Sequence, residues 1–170
     1  GTVELTRTTT VDGFEKTFAV NHLAYFLLTN LLLPRLRESA PARIVNVASE
    51  AHRFGRVDMA DLQSEKSYAG MRDYGMSKLL NILFTTALAE KLAGSGVTAN
   101  SLHPGAVSTR LGAQNGAVSK FVIGLLKPFF LSAEQGAANS LFVAASDELE
   151  GVSGKYFVKQ RAVAPSRRSQ

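Results

Sequence analysis

Arg43-Ile44-Val45-Asn46-Val47-Ala48-Ser49 decides the fold. Isoleucine and valine dominate a run too short for a helix, and both alternating faces carry apolar side chains. That pattern belongs to a strand buried in a parallel sheet with helices on its two faces. Upstream, Asp12 is the expected N-cap of a helix over residues 13–36 bearing Phe14, Phe18, Ala19, Leu23, Phe26, Leu27 and Leu31. Pro34 should kink or stop it. Beyond Leu23 this helix is apolar on nearly every side, which predicts burial against the sheet and against something else. Downstream, residues 49–69 form a polar loop whose length often signals function. Further on come a helix over 71–92 closed by Gly94-Ser95-Gly96, a strand over 97–103 ended by Pro104-Gly105, and a helix over 133–145 behind Ser132. A last strand covers 154–158. Alternating helices and strands imply an α/β protein with a parallel sheet of about three strands. Residues 1–160 read as one unit and 161–170 as a basic flexible tail.

The composition agrees. The chain has 170 residues, 45% hydrophobic and 19% charged, which suits a globular domain with a sizeable core. Without cysteine there are no disulfides or thiolate metal sites. Residues 1–12 are polar and threonine-rich, unlike a signal peptide, so a cytoplasmic location is the default expectation. The net charge of +5 is scattered, with Arg167-Arg168 its only tight cluster. No basic face is formed, and no nucleic-acid partner is expected. His22, His52 and His103 lack metal-ligand spacing, so no metal is expected. Residues 121–131 are apolar but too short to span a bilayer. They read as a lid over an apolar substrate in preference to an interfacial membrane contact.

The chemistry centres on Tyr74-Gly75-Met76-Ser77-Lys78. Four positions apart on a helix, Tyr74 and Lys78 share one face. An ammonium beside a phenol favours phenolate and lowers its pKa, which suits the phenol to exchange a proton with an alcohol or carbonyl. Ser49 stands at the carboxyl end of a parallel strand, where ligands collect in open sheets. There it either holds a substrate oxygen or caps a turn. Asn21 places an amide in an apolar helix and must find partners if buried. It reads either as an anchor near Lys78 or as a hydrogen-bonded core amide. Pro104-Gly105, followed by Ser108 and Thr109, breaks the next strand at the same sheet edge. It is either a simple turn or a place where a flat polar ring can approach the backbone.

Together these segments resemble the short-chain dehydrogenase/reductase family, and most of all its retinol dehydrogenase-like branch. The resemblance rests on Asp12-Gly13-Phe14-Glu15 with Val20-Asn21-His22-Leu23, on residues 43–49, on residues 74–78, on His103-Pro104-Gly105, and on the long gap between Ser49 and Tyr74. It implies the C-terminal, catalytic half of a Rossmann-like doubly wound sheet. By resemblance Tyr74 is the acid–base, Lys78 tunes it and binds the nicotinamide ribose, Ser49 orients the substrate oxygen, and Asn21 holds a proton-relay water. The implied cofactor is NAD or NADP, contacted by Gly1, Asn21, Val47, Tyr74, Lys78, Pro104, Gly105, Val107 and Thr109. The implied substrate is a small apolar alcohol or carbonyl compound, and the implied assembly a homo-oligomer. Gly1 resembles the last residue of the family's N-N-A-G motif, so roughly four strands and the glycine-rich phosphate loop are expected outside these residues. The 170 residues alone are accordingly expected to be inactive. The alternative from another class is a non-catalytic dimerisation or binding module.

Overall fold

The computed structural model describes residues 1–107 and 130–166. Its sheet has the order β1 (Ala42–Val47), β2 (Val97–His103), β3 (Tyr156–Val158), β4 (Arg161–Val163). The first three strands are parallel, with Ala42 opposite Val97 and Ser101 opposite Tyr156. β4 turns back antiparallel onto β3 from residues expected in a tail. Lys159 and Gln160 make that reversal with φ of 50° and 61°. Two consecutive left-handed residues match the twist of a tight hairpin. Asn139 Oδ1 holds the turn by accepting from Gln160 N at 2.8 Å.

The first helix, α1 (Lys16–Glu38), starts later than expected. Asp12 and Gly13 lie in a reversal, with Gly13 at φ 85°, and Glu15 is the cap. Its carboxylate accepts from Thr17 N at 2.8 Å and Phe18 N at 2.6 Å. The helix runs through Pro34 to Glu38. Within it, Ala19–Leu23 forms a single π turn, closed by Ala24 N donating to Ala19 O. Helices α2 (Gly70–Lys91) and α3 (Ala133–Ala145) fall within two residues of their expected ends. Ser132 and Gln135 form a reciprocal capping box on α3. The long loop opens with a 3₁₀ turn, Glu50–Phe54.

Both faces of the sheet are covered. Leu33, Leu88 and Leu92 pack with Ile44, Val97 and Ala99 on one side. Leu102 and Phe157 pack with Val143 and Leu149 on the other. β1 pairs only with β2 among the described strands. The second partner expected for α1 is not found among the described residues. Leu27, Leu28 and Leu31 are 59%, 59% and 68% exposed, and only Thr29 and Leu33 are buried in the segment after the π turn. Ser108, Thr109, Arg167, Arg168 and most of the apolar segment 121–131 lie outside the described residues.

Candidate active site

Three elements bring the expected residues together. The buried start of α2 carries Tyr74, Ser77 and Lys78, the end of β1 delivers Val47 and Ser49, and the π turn of α1 presents Asn21. Ser49 takes the capping role of the two open to it. Its Oγ caps the 3₁₀ turn by accepting from Ala51 N at 3.2 Å, and its side chain lies near enough to the Tyr74 phenol to oppose the effect of burial on it. Lys78 is almost fully buried, with Nζ 3.1 Å from the Val47 carbonyl and about 6 Å from the rings of Tyr74 and Tyr25. Val47 O is its single hydrogen-bond acceptor among the described residues, leaving two N–H donors on a buried ammonium.

Burial governs the electrostatics. It lowers the Lys78 ammonium from its ordinary 10.5 to about 8. It raises the Tyr74 phenol, an effect opposed by the Ser49 hydroxyl and reinforced by Tyr25. The direction is therefore opposite to that expected from an adjacent ammonium.

Asn21 is wholly buried and fully engaged. Its Oδ1 accepts from Thr2 N at 2.7 Å, and Nδ2 donates to Thr2 O at 2.8 Å and to Ser77 Oγ at 3.1 Å. The amide thereby clamps the backbone next to Gly1. A methyl group on Gly1 would lie 2.8 Å from Asn21 Oδ1 and 3.5 Å from Lys78 Nζ, so a side chain there would displace the Asn21 amide. The backbone carbonyl of Asn21 accepts from Asn81 Nδ2 at 2.9 Å, and Asn81 Oδ1 pairs with His22 Nδ1 at 3.0 Å. A π turn frees a carbonyl from the regular helical ladder, which is why such turns recur at functional sites.

Pro104, Gly105 and Val107 stand at the neighbouring strand end, beyond β2. Gly105 has φ 96°, and a methyl group there would lie 2.5 Å from Leu131 Cδ1. Glu50 N donates to His103 Nδ1 at 3.4 Å, joining this strand end to the Ser49 turn. A cavity of about 650 Å³ opens between them, lined by Glu50, His103, Gly105, Leu131 and Gln160. Thr109 lies outside the described residues.

Residues 1–119 match the short chain dehydrogenase family. The chain belongs to that family. It is 51% identical over 148 residues to retinol dehydrogenase 12 of Mus musculus, covering 87% of this chain and 46% of the mouse protein. The chain thus spans about half the length of the curated relatives it matches. Among solved structures, an uncharacterised protein from Mycobacterium paratuberculosis superposes with a TM-score of 0.76 at 34% identity, over 99% of this chain and 57% of that one. A 4-hydroxyisoleucine dehydrogenase complexed with NADH and succinate gives 0.62 at 25% identity, over 93% and 62%. These neighbours place the α/β sheet among Rossmann-like dehydrogenase folds.

Sequence reasoning missed part of the candidate site. Ser77, Asn81 and Thr85 recur every four residues on the buried face of α2. They hold Asn21, its carbonyl, and Asn46 respectively, the last through Asn46 Nδ2 at 2.9 Å from Thr85 Oγ1. Polar residues at helical spacing inside an apolar helix were the available signal. His52 gave none. It is wholly buried, with Nδ1 2.7 Å from Ser49 O and Nε2 accepting from Ser166 N at 3.1 Å.

Proposed function

We propose that this chain carries the catalytic residues of an NAD- or NADP-dependent oxidoreductase interconverting an apolar alcohol and its carbonyl. The observation that carries the reading is the convergence of Ser49, Tyr74 and Lys78 at the carboxyl end of β1. Ser49 Oγ and the Tyr74 phenol form a pair of hydroxyls able to grip one substrate oxygen. In alcohol oxidation Tyr74, as phenolate, takes the hydroxyl proton while the carbinol hydrogen leaves as hydride. In reduction Tyr74 returns the proton to the carbonyl oxygen.

A nicotinamide cofactor, when bound, supplies or accepts that hydride. The residues fit such a group. Lys78 has two buried N–H donors with no acceptor among the described residues, suited to ribose hydroxyls, and a Cβ on Gly1 would crowd the space beside them. Val47, Tyr74, Lys78 and Asn21 complete that end, with Pro104, Gly105 and Val107 on the adjoining strand end and Thr109 as the further expected contact. Lys78 positions the sugar and supplies positive charge near the phenol, offsetting the cost that burial puts on phenolate. The Asn21 carbonyl, which accepts from Asn81 Nδ2, is the group we assign to hold a relay water. The name of the mouse relative makes retinol one substrate to try within the apolar class.

We also infer self-association through the exposed face of α1, on which Leu27, Leu28, Leu31 and Leu32 form an apolar surface. The same face is what supports the rival reading, a non-catalytic dimerisation module. Turnover by the whole gene product separates the two. Tyr74→Phe is expected to lower kcat by about 10²–10⁴-fold with the fold intact. Undiminished turnover in that variant refutes Tyr74 as the acid–base.

A further inference from the structure

The 3₁₀ turn that Ser49 caps meets α2 backbone to backbone, through two glycines. A methyl group on Gly75 would lie 2.5 Å from Ala51 O and 2.8 Å from Gly55 N. A methyl group on Gly55 would lie 2.5 Å from both C and O of Gly75 and 2.7 Å from Met76 N. Every obstructing atom is main chain, so no rotamer change relieves the contact. Gly75 immediately follows Tyr74, and Ala51 is the residue whose N–H the Ser49 hydroxyl accepts. The turn is also stiff. His52 N donates to Ser49 O at 3.0 Å, and Gly55 N donates to His52 O at 3.1 Å.

We propose that Gly55 and Gly75 are positioning residues, a side-chain-free crossing that sets the distance between the Ser49 hydroxyl and the Tyr74 phenol. The proposal rests on reading Tyr74 as the acid–base. Neither glycine touches substrate. Ordinary contact begins near 3.4 Å, so one added methyl pushes the turn back by about 0.9 Å. Misplacing a reacting group by ~1 Å costs on the order of 10²-fold in rate. Both glycines have negative φ or helical geometry, so conformational freedom does not account for them. The close approach does.

The test is a double-mutant cycle in the whole gene product, read as kcat, KM and the pH profile of kcat. Gly75→Ala is expected to lower kcat by about 10–100-fold with KM changed far less. It should also move the alkaline rise of alcohol oxidation to higher pH, because Ser49 is what holds the phenol down. In a Ser49→Ala background the same glycine change should add little, since the hydroxyl it misplaces is already gone. Gly70→Ala is the comparison. Its methyl group would lie 2.5 Å from Glu4 O on the first turn of the same helix, away from Ser49. It should lower Tm and leave the pH profile in place. Additive effects of Gly75→Ala and Ser49→Ala, or equal pH shifts from Gly75→Ala and Gly70→Ala, overturn the proposal. If Gly75→Ala does not fold, Gly55→Ala takes its place in the cycle. If neither folds, the crossing is structural only and the proposal is overturned. Activity surviving Tyr74→Phe overturns the functional reading first, independently of the glycines.

Discussion

At the scale of single residues, burial decides which charges the site tolerates. Lys78 titrates near 8 in the folded chain and at its ordinary 10.5 when unfolded. Between those values the unfolded chain holds a proton that the native one has released, so stability rises with pH there. Below pH 8 the full penalty of a buried cation applies. Lys78→Met is therefore expected to stabilise the protein at pH 7 by roughly 1–3 kcal/mol, with the gain fading as pH climbs toward 10.5. Thermal unfolding at pH 7 and pH 10.5 checks the sign. His22, His52 and His103 behave alike at lower pH, each pulled down chiefly by burial. The unfolded chain takes up those protons first, so stability should fall as pH drops through 6.5. His52→Gln should flatten that fall between pH 7.5 and 5.5. A slope unchanged in that variant would mean His52 carries none of it. Tyr74, Lys78, Ser49 and Asn21 could be singled out in the sequence because their polar side chains stand out at element ends or within apolar runs. The sequence concealed His52, whose partners Ser49 O and Ser166 N are backbone atoms and leave no mark on composition.

At the scale of elements, periodicity located helices and strands well, whereas their ends followed hydrogen bonds that no local pattern announces. Ser132 read correctly as a cap because its partner Gln135 lies three residues on. Asp12 misled, since the reversal at Gly13 moves the helix start to Glu15, a residue outside the usual capping set. Glu15→Ala should cost about 1–3 kcal/mol by stranding two buried N–H groups, whereas Asp12→Ala should stay within about 0.5 kcal/mol. Urea unfolding midpoints decide, and equal losses would return the cap to Asp12. β4 escaped notice for a related reason. Lys159-Gln160 is not a glycine-containing turn, and its left-handed backbone is held by a side chain from α3. Asn139 also donates to His103 O at 2.7 Å and Phe157 O at 3.2 Å, so one amide ties β2, β3 and the hairpin turn together.

At the scale of the whole molecule, the sheet is covered on both faces and α1 keeps its apolar side outward. Lys16–Glu38 is the one described helix long and apolar enough to cross a membrane by length and composition. Yet it packs Leu33 into the core and holds Asn21 in the site. Paired Leu27→Glu and Leu31→Glu changes should lower the mass seen by sedimentation equilibrium and leave the monomer fold intact. An unchanged mass overturns self-association through α1. Fold class was readable from the β1 run and the alternation around it, while the sheet's fourth strand and the bare α1 face were not, because both depend on tertiary contacts. One such contact governs timing. The turn bearing Ser49 is braced by the Ser166 N–H on His52 Nε2, 114 positions further along the chain, and Glu50 beside it accepts from the Tyr156 hydroxyl. At ~5–20 residues per second a ribosome needs roughly 6–23 s to make that stretch. Tyr74 and Lys78 thus wait, already synthesised, for a serine whose brace lies far downstream of both.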